Sequence, residues 1–178
     1  MTDHAHHAAS SQQPIDPELV ELAQQVFDLA RRGDSAMLAA VIEKGVPPNL
    51  RNDKGDSLVM LASYHGHVDA VRTLLEQGAD PNLRNDNGQT PIAGAAFKGY
   101  DAVIETLLAH GADVEGASPD GRTALMIAAM FNRIAIMDLL IAHGADPQAR
   151  DANGVTALDA AARMGAGDAE AHLRKLAP

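Results

Sequence analysis

The sequence predicts an all-α protein built from stacked pairs of helices. Glycine recurs every 33 residues inside turn-like strings, at Gly55, Gly88, Gly121 and Gly154. A second series with the same period follows apolar segments and consists of Gly45, Gly78, Gly111 and Gly144. A fixed period of this length is typical of a repeat protein, in which each unit buries its apolar face against its neighbours. Aromatic residues make up only 3% of the chain, so the core must be aliphatic, which favours closely packed helices.

Five units follow from this period, at residues 19–51, 52–84, 85–117, 118–150 and 151–178. Residues 1–15 are expected to form a flexible tail, and residues 16–178 a single domain. The first helix is predicted to begin at Asp16-Pro17, an N-cap followed by a first-turn proline. The last unit places Glu170 and Arg174 where internal units carry apolar residues. The end units of such a stack need polar outer surfaces, so we interpret the first and last units as caps.

Each internal unit carries its own start and stop signals. A hydroxyl two residues after the turn glycine can cap the first helix, and these residues are Ser57, Thr90, Thr123 and Thr156. The second helix carries one apolar stripe and ends at the next glycine, whose missing Cβ permits the left-handed conformation. A third series, Gly33, Gly66 and Gly99, ends in Asn132, which we therefore expect in that conformation.

The chain resembles the ankyrin-repeat family over about residues 19–178, in the strings SLVMLASYHGHVDAVRTLLEQGADPN, DNGQTPIAGAAFKGYDAVIETLLAHGAD and PDGRTALMIAAMFNRIAIMDLLIAHGAD. The resemblance implies a solenoid of helix-turn-helix units joined by β-hairpin-like loops. One family feature is missing, because the histidine of the TPLH motif is replaced by Met60, Ala93, Met126 and Asp159. The hydrogen bonds that this histidine makes between adjacent units must therefore be replaced or lost.

Charge and motifs argue against several classes of function. The formal net charge is −10, so the average surface repels phosphate backbones and anionic lipid, and neither a nucleic-acid nor a membrane partner is expected. No export signal or membrane-spanning stretch is found, and we expect a cytoplasmic protein. The sequence contains no P-loop, GxSxG or HExxH motif, so we predict no enzyme activity and no cofactor.

Histidine is the one residue type that suggests a metal site, and the structural interpretation is favoured at each position. His4, His6 and His7 lie in the tail, where a weak metal site is the less favoured alternative. His67 matches the family's Gly-His dipeptide beside His65, while His110 and His143 end second helices, where a polar side chain suits the helix dipole. No metal ligand is predicted.

The resemblance implies a concave groove for another protein, formed by the hairpin tips and the inner face of the first helices. At the tips, the predicted partner contacts are Lys54, Asp56, Asn87, Gln89, Asp120 and Arg122. At the ends of the first helices they are Tyr64, His65, Phe97, Lys98, Met130, Phe131 and Arg163. Val155 and Met164 occupy corresponding positions of the last unit. Aromatic residues are enriched at binding hot spots, although Phe97 could instead serve packing between repeats.

The predicted function is therefore non-catalytic binding of a partner protein with a mixed, mildly basic surface, by a chain that is monomeric alone. A regulatory or inhibitory subunit of an enzyme is the alternative, because it would use the same surface. An enzyme or a metal-binding protein is the third interpretation.

Overall fold

Ten α-helices make up the regular structure of residues 16–176, the part of the chain that this computed structural model describes. They are α1 (Pro17–Arg32), α2 (Ser35–Glu43), α3 (Leu58–Tyr64), α4 (Val68–Glu76), α5 (Pro91–Lys98), α6 (Asp101–Ala109), α7 (Ala124–Met130), α8 (Ile134–Ala142), α9 (Ala157–Met164) and α10 (Gly167–Leu176). Each predicted unit contributes two consecutive helices, which confirms the all-α prediction. The expected tail, residues 1–15, lies outside the described residues.

The helices stack in two layers. In one layer the first helices of the units pack side by side, in the order α1, α3, α5, α7 and α9. The second helices α2, α4, α6, α8 and α10 form the other layer, and each packs against the first helix of its own unit. Successive units therefore present the ends of their first helices next to one another, and this arrangement positions the candidate site.

The core between the layers is aliphatic, as the composition predicts. The second-helix stripes supply fully buried residues that include Val71, Leu74, Ile104, Leu107, Met137 and Leu140. Burying one such side chain stabilises the fold by roughly 1.5–3 kcal/mol. Phe27 is the one aromatic residue that is buried among residues 16–176, and Tyr100 packs against the core while remaining partly exposed.

Local capping fixes where the first helices begin. The side chain of Ser57 accepts the N–H of Met60 at 3.1 Å, and Thr90, Thr123 and Thr156 accept the corresponding N–H groups of their own units. Asp16 caps α1 by accepting the N–H of Glu18. These caps were predicted, and each contributes about 1 kcal/mol to helix stability.

Loop side chains make hydrogen bonds between adjacent units. Asn49 Oδ1 accepts the N–H of Asp80 at 2.8 Å, and Asn82 Oδ1 accepts the N–H of Asp113 at 2.8 Å. Glu115 Oε1 accepts the N–H of Asp146 at 2.6 Å. The carboxylates of these three aspartates accept N–H groups within their own loops and so act as loop-capping groups. The side chains at Met60, Ala93 and Met126 are buried.

Asn132 adopts the left-handed conformation that its register predicts, with a φ of 57°. Its side chain also connects two units, which the sequence did not indicate. Oδ1 accepts the N–H of Ala169 at 2.8 Å, and Nδ2 donates to Asp168 Oδ2 at 3.1 Å. The turn of the fourth unit is thereby fixed to the first turn of α10.

The two end units differ, and the prediction of polar outer surfaces holds only for the last one. There, Glu170 and Arg174 form an ion pair on the exposed side of α10. In the first unit, Leu22 is 48% exposed and Met37 is 49% exposed. The first unit therefore presents an apolar end face, because no described residue packs outside it.

Candidate functional site

Four predicted contact residues form one strip along the ends of the first helices. We call Tyr64, Phe97, Met130 and Phe131 the aromatic strip. Tyr64 is the last residue of α3, Phe97 lies in the last turn of α5, and Phe131 directly follows α7. Because α3, α5 and α7 lie side by side, residues about 33 positions apart become spatial neighbours.

The rings of the strip pack against neighbouring units and remain accessible. Phe97 and Phe131 meet edge to face, with ring centroids 4.9 Å apart. Tyr64 lies beside Gly94 of α5, where a Cβ would be 3.7 Å from its ring. Tyr64 and Phe97 are each 43% exposed, and Phe131 is 38% exposed. Phe97 therefore packs against Phe131 of the neighbouring unit, while a large part of each ring still faces outward.

The two methionines of this row occupy different environments. Met130 is half-buried, so only part of its side chain is available to a partner. Met164 is exposed and lies one period after Phe131, which extends the apolar row to α9. The period predicts Met164 in this row, although Met164 is not among the predicted contact residues.

Basic groups accompany the strip. Lys98 Nζ lies 4.9 Å from the centroid of the Tyr64 ring, a cation–π arrangement. His65 stacks with His67, with ring centroids 6.3 Å apart. The pKa of His65 lies below its ordinary value, mainly because the ring is partly buried. The positive charges of His67, Arg31 and Lys98 lower it further. Neither Lys98 nor Arg163 forms an ion pair within residues 16–176.

In three of the four hairpin tips, one side chain accepts two backbone N–H groups of its own turn, whereas Ser118 in the remaining tip accepts only that of Arg122. Asn85 Oδ1, for example, accepts the N–H groups of Asn87 at 3.1 Å and Gln89 at 3.0 Å. Asn52 and Asp151 repeat this arrangement in their own tips. The glycine of each tip has a positive φ, as the turn-like strings predict.

Backbone hydrogen bonds also join the tips, in two pairs. The N–H of Asp86 donates to the Lys54 carbonyl at 3.0 Å, and the N–H of Ala152 donates to the Asp120 carbonyl at 2.9 Å. Pro119 occupies the equivalent position between the third and fourth units, and proline has no N–H to donate. The tips therefore divide into two hydrogen-bonded halves at Pro119.

The predicted tip contacts are of two kinds. Asp56, Gln89 and Asp120 are engaged within the protein, because Asp56 and Gln89 accept hydrogen bonds from Asn85 Nδ2 and Asp120 pairs with Ser118 and Arg122. The hydrogen bond from the Ser118 hydroxyl, with a smaller effect of Arg122, holds the pKa of Asp120 below its ordinary value. Lys54 and Asn87 are exposed. Val155 lies at the tip of the last unit, as expected, but its side chain is buried and does not face a partner.

Three of the histidines considered in the sequence make hydrogen bonds within the protein. A ring nitrogen of His67 bonds the Arg31 carbonyl of the preceding unit at 2.8 Å. His110 and His143 each bond a carbonyl of their own helix through Nδ1. Within residues 16–176, no three histidine or acidic side chains cluster in a way that could hold a metal ion. The N-terminal histidines predicted to have no role lie outside the described residues.

No described helix combines the length and the apolar character needed to cross a membrane. One opening in this part of the chain lies away from the strip, between α1 and α2, with a volume of about 330 Å³. The strip itself is an open surface. Its geometry suits contact with another macromolecule, since it offers exposed rings and unpaired basic groups on a rigid helical layer.

Comparison with known proteins places the chain in a family. A family model described as ankyrin repeats (3 copies) matches residues 26–118 and again residues 115–173. An ankyrin repeat protein of Pseudomonas aeruginosa is 60% identical over 58 residues, which cover 33% of this chain and 34% of that protein. The human ankyrin repeat domain-containing protein 29 is 43% identical over 54 residues, which cover 30% of this chain and 18% of that protein. The matches thus span about a third and about a fifth of the two relatives. Because the family model covers most of the described chain, with its turns, caps and helix pairs in register, this protein belongs to the ankyrin-repeat family.

Proposed function

We propose that this chain is a non-catalytic binding module that holds a partner protein against the aromatic strip. Ankyrin repeats generally mediate contacts between proteins, which supports this class of function. The observation that carries the proposal is the exposure of Phe97 and Phe131 in a fixed edge-to-face pair. Such rings bind at low entropic cost because their neighbours already restrict them.

The exposed area of the rings gives the size of the expected effect. A phenylalanine side chain has roughly 200 Å² to bury, so a ring that is 43% exposed offers about 85 Å² to a partner. At about 25 cal/mol per Å², covering that area contributes about 2 kcal/mol. Phe97 and Phe131 therefore each qualify as a hot-spot residue.

Charge around the strip indicates the chemistry of the partner. Lys98 and Arg163, at the helix ends, can pair with carboxylates, whereas the tips carry the exposed acidic side chains of Asp53 and Asp86. A partner segment with apolar side chains in its centre and both signs of charge at its borders fits this surface. This agrees with the mixed surface predicted for the partner, with the acidic groups assigned to the helix-end border.

Affinity capture with matched double variants tests the proposal. The tagged wild type, Phe97→Ala/Phe131→Ala and the control Glu76→Ala/Glu105→Ala are expressed in the native cells, and captured proteins are quantified by mass spectrometry. Glu76 and Glu105 are exposed on the second-helix layer, so the control removes side chains away from the strip. Circular dichroism and thermal unfolding establish that all three chains are folded.

We expect one or more proteins to be captured by the wild type and the control and lost with the aromatic variant. With the purified partner, the Kd should rise at least about 100-fold, since each tenfold change corresponds to about 1.4 kcal/mol. A folded aromatic variant that retains full affinity would show that the strip is not the binding surface. Measuring the partner's own activity with and without this chain then separates simple binding from inhibition.

A further inference from the structure

The outer end of the first unit is an apolar face with the geometry of an internal one. In the internal units, the position of Met37 is filled by Ala70, Val103 and Ile136, all of which are buried. The position of Val41 is filled by Leu74, Leu107 and Leu140, which are fully buried. In the first unit, Met37 is 49% exposed and Val41 is only partly buried.

An opening lies between α1 and α2 on this face, with a volume of about 330 Å³. Its lining is mixed, with five apolar side chains beside the polar Gln25, Asp28 and Arg32; the apolar residues are Leu22, Val26, Leu29, Met37 and Val41. We call this surface the N-terminal end face. Large exposed apolar patches on folded proteins generally mark sites where another surface packs.

The opposite end of the stack does not match it. Glu170 and Arg174 pair with each other at the positions that Met137 and Ile141 occupy in the preceding unit. Head-to-tail stacking of two copies would place this ion pair against the apolar N-terminal end face and desolvate it. Pairing of two N-terminal end faces about a two-fold axis avoids that cost.

Charges on α1 are complementary to a second copy of the same helix. Glu18, Leu22, Gln25, Leu29 and Arg32 follow at spacings of four and three residues, so they form one stripe along α1. Glu18 is near the start of this stripe and Arg32 at its end, and neither forms an ion pair within residues 16–176. Arg31, off this stripe, is paired with Asp28 at 2.7 Å.

An antiparallel arrangement of two α1 helices centred on Gln25 brings Glu18 of each copy next to Arg32 of the other. The helix dipole alone would explain why an acidic residue, Glu18, lies near the start of α1 and a basic residue, Arg32, at its end. It does not account for Leu22, which is 48% exposed between them and which the second copy covers in this arrangement.

We propose that this chain forms a two-fold symmetric homodimer through the N-terminal end face, with α1 packed antiparallel against α1 of the second copy. The sequence predicts a monomer and, separately, polar outer surfaces on both end units, and the first unit does not have such a surface. The dimer leaves both aromatic strips free, so it does not depend on the function proposed above.

Sedimentation equilibrium of the full chain and its variants tests the proposal. The wild type should show a concentration-dependent monomer–dimer equilibrium. Leu22→Glu and Met37→Glu alter exposed side chains, so the fold should be retained while the dimerisation constant weakens at least about tenfold. Leu176→Glu, an equally exposed site at the other end, should leave dimerisation unchanged.

Charge reversal tests the antiparallel register. Glu18→Arg and Arg32→Glu should each weaken self-association, and the double variant should restore it. An equimolar mixture of the two single variants should form a heterodimer, because one chain then carries only basic and the other only acidic residues at these two positions. A parallel arrangement would place position 18 beside position 18 and position 32 beside position 32, so like charges would already face each other in the wild type and neither single variant would associate more weakly than it.

Three results would overturn the proposal. The first is a wild type that remains monomeric at all concentrations. The second is a dimer that the changes at Leu22 and Met37 leave intact. The third is a full chain that stays monomeric while the protein without residues 2–15 dimerises, which would show that its own N-terminal segment covers the face.

Discussion

Asn132 connects the turn of the fourth unit to the last helix, and replacing it tests how strongly neighbouring units are coupled. Its side chain bonds the backbone of Ala169 at 2.8 Å and the carboxylate of Asp168 at 3.1 Å. Its φ of 57° lies in the left-handed region, where the three preceding units place glycine. Asn132→Gly keeps this backbone and removes both hydrogen bonds. Asn132→Ala removes them as well and keeps a Cβ in the left-handed conformation.

The expected losses follow from these contacts. Each hydrogen bond contributes roughly 0.5–1.5 kcal/mol, and the bond to the exposed Asp168 belongs at the lower end of that range. Asn132→Gly has two further effects of about 1 kcal/mol each, which oppose each other. It relieves left-handed strain in the folded protein, and it adds entropy to the unfolded chain. The free energy of unfolding should therefore fall by about 1.5 kcal/mol, set by the two hydrogen bonds. Asn132→Ala should cost about 1 kcal/mol more, because alanine adopts the left-handed conformation less readily than asparagine.

Urea unfolding followed by circular dichroism measures both values, and hydrogen exchange at Ala169 reports the local loss. Gly165→Ala is the matched control, since Gly165 is the equivalent residue of the last unit, with a φ of 69° and nothing within 4 Å of an added Cβ. It should lose about 1 kcal/mol from backbone strain alone. If Asn132→Gly were as stable as the wild type, and Asn132→Ala lost no more than Gly165→Ala, the two hydrogen bonds would not couple the units.

Three further predictions concern stability and exchange. Leu107→Ala should lower the free energy of unfolding in urea by about 2–5 kcal/mol, because Leu107 is fully buried between units; a loss below about 1 kcal/mol would contradict close packing there. Hydrogen bonds from the Thr156 backbone and hydroxyl hold the pKa of Asp159 below its ordinary value, so their stabilisation is present above the unfolded pKa and lost as the pH falls through the folded one. Acid titrations should show this loss in the wild type and a flatter profile for Asp159→Asn, and identical profiles would count against it. Pro119→Asp restores a backbone N–H that can donate to the Asn87 carbonyl. If this bond forms, the new N–H should exchange as slowly as that of Asp86, which donates to the Lys54 carbonyl. Fast exchange would mean that proline is not what separates the two tip halves.

Local signals in the sequence were sufficient to predict the fold. A cap such as Thr90 acts on an N–H three residues later, and a turn glycine acts on its own φ, so both can be read from a few consecutive residues. Asn132 was predicted in the left-handed region for the same reason. Its bonds to the last unit were not predicted, because they join residues 36 and 37 positions apart.

The candidate site was less predictable, because exposure depends on what the neighbouring unit places against a side chain. The period placed Tyr64, Phe97 and Phe131 at the ends of the first helices, but it could not indicate that Met130 is half-buried. The apolar end face was missed because polar caps were assumed from the general behaviour of repeat stacks. The exposure of Met37, where internal units bury an apolar residue, is what identified it.

The most direct test of the central claim is to map where the captured partner contacts this chain. Unlabelled partner is titrated into the nitrogen-labelled protein, and the amide chemical-shift changes are recorded residue by residue. The account predicts the largest changes around Tyr64, Phe97 and Phe131, with little change around Glu76 and Glu105 on the second-helix layer. Changes concentrated on the second helices, with the aromatic strip unaffected, would contradict it.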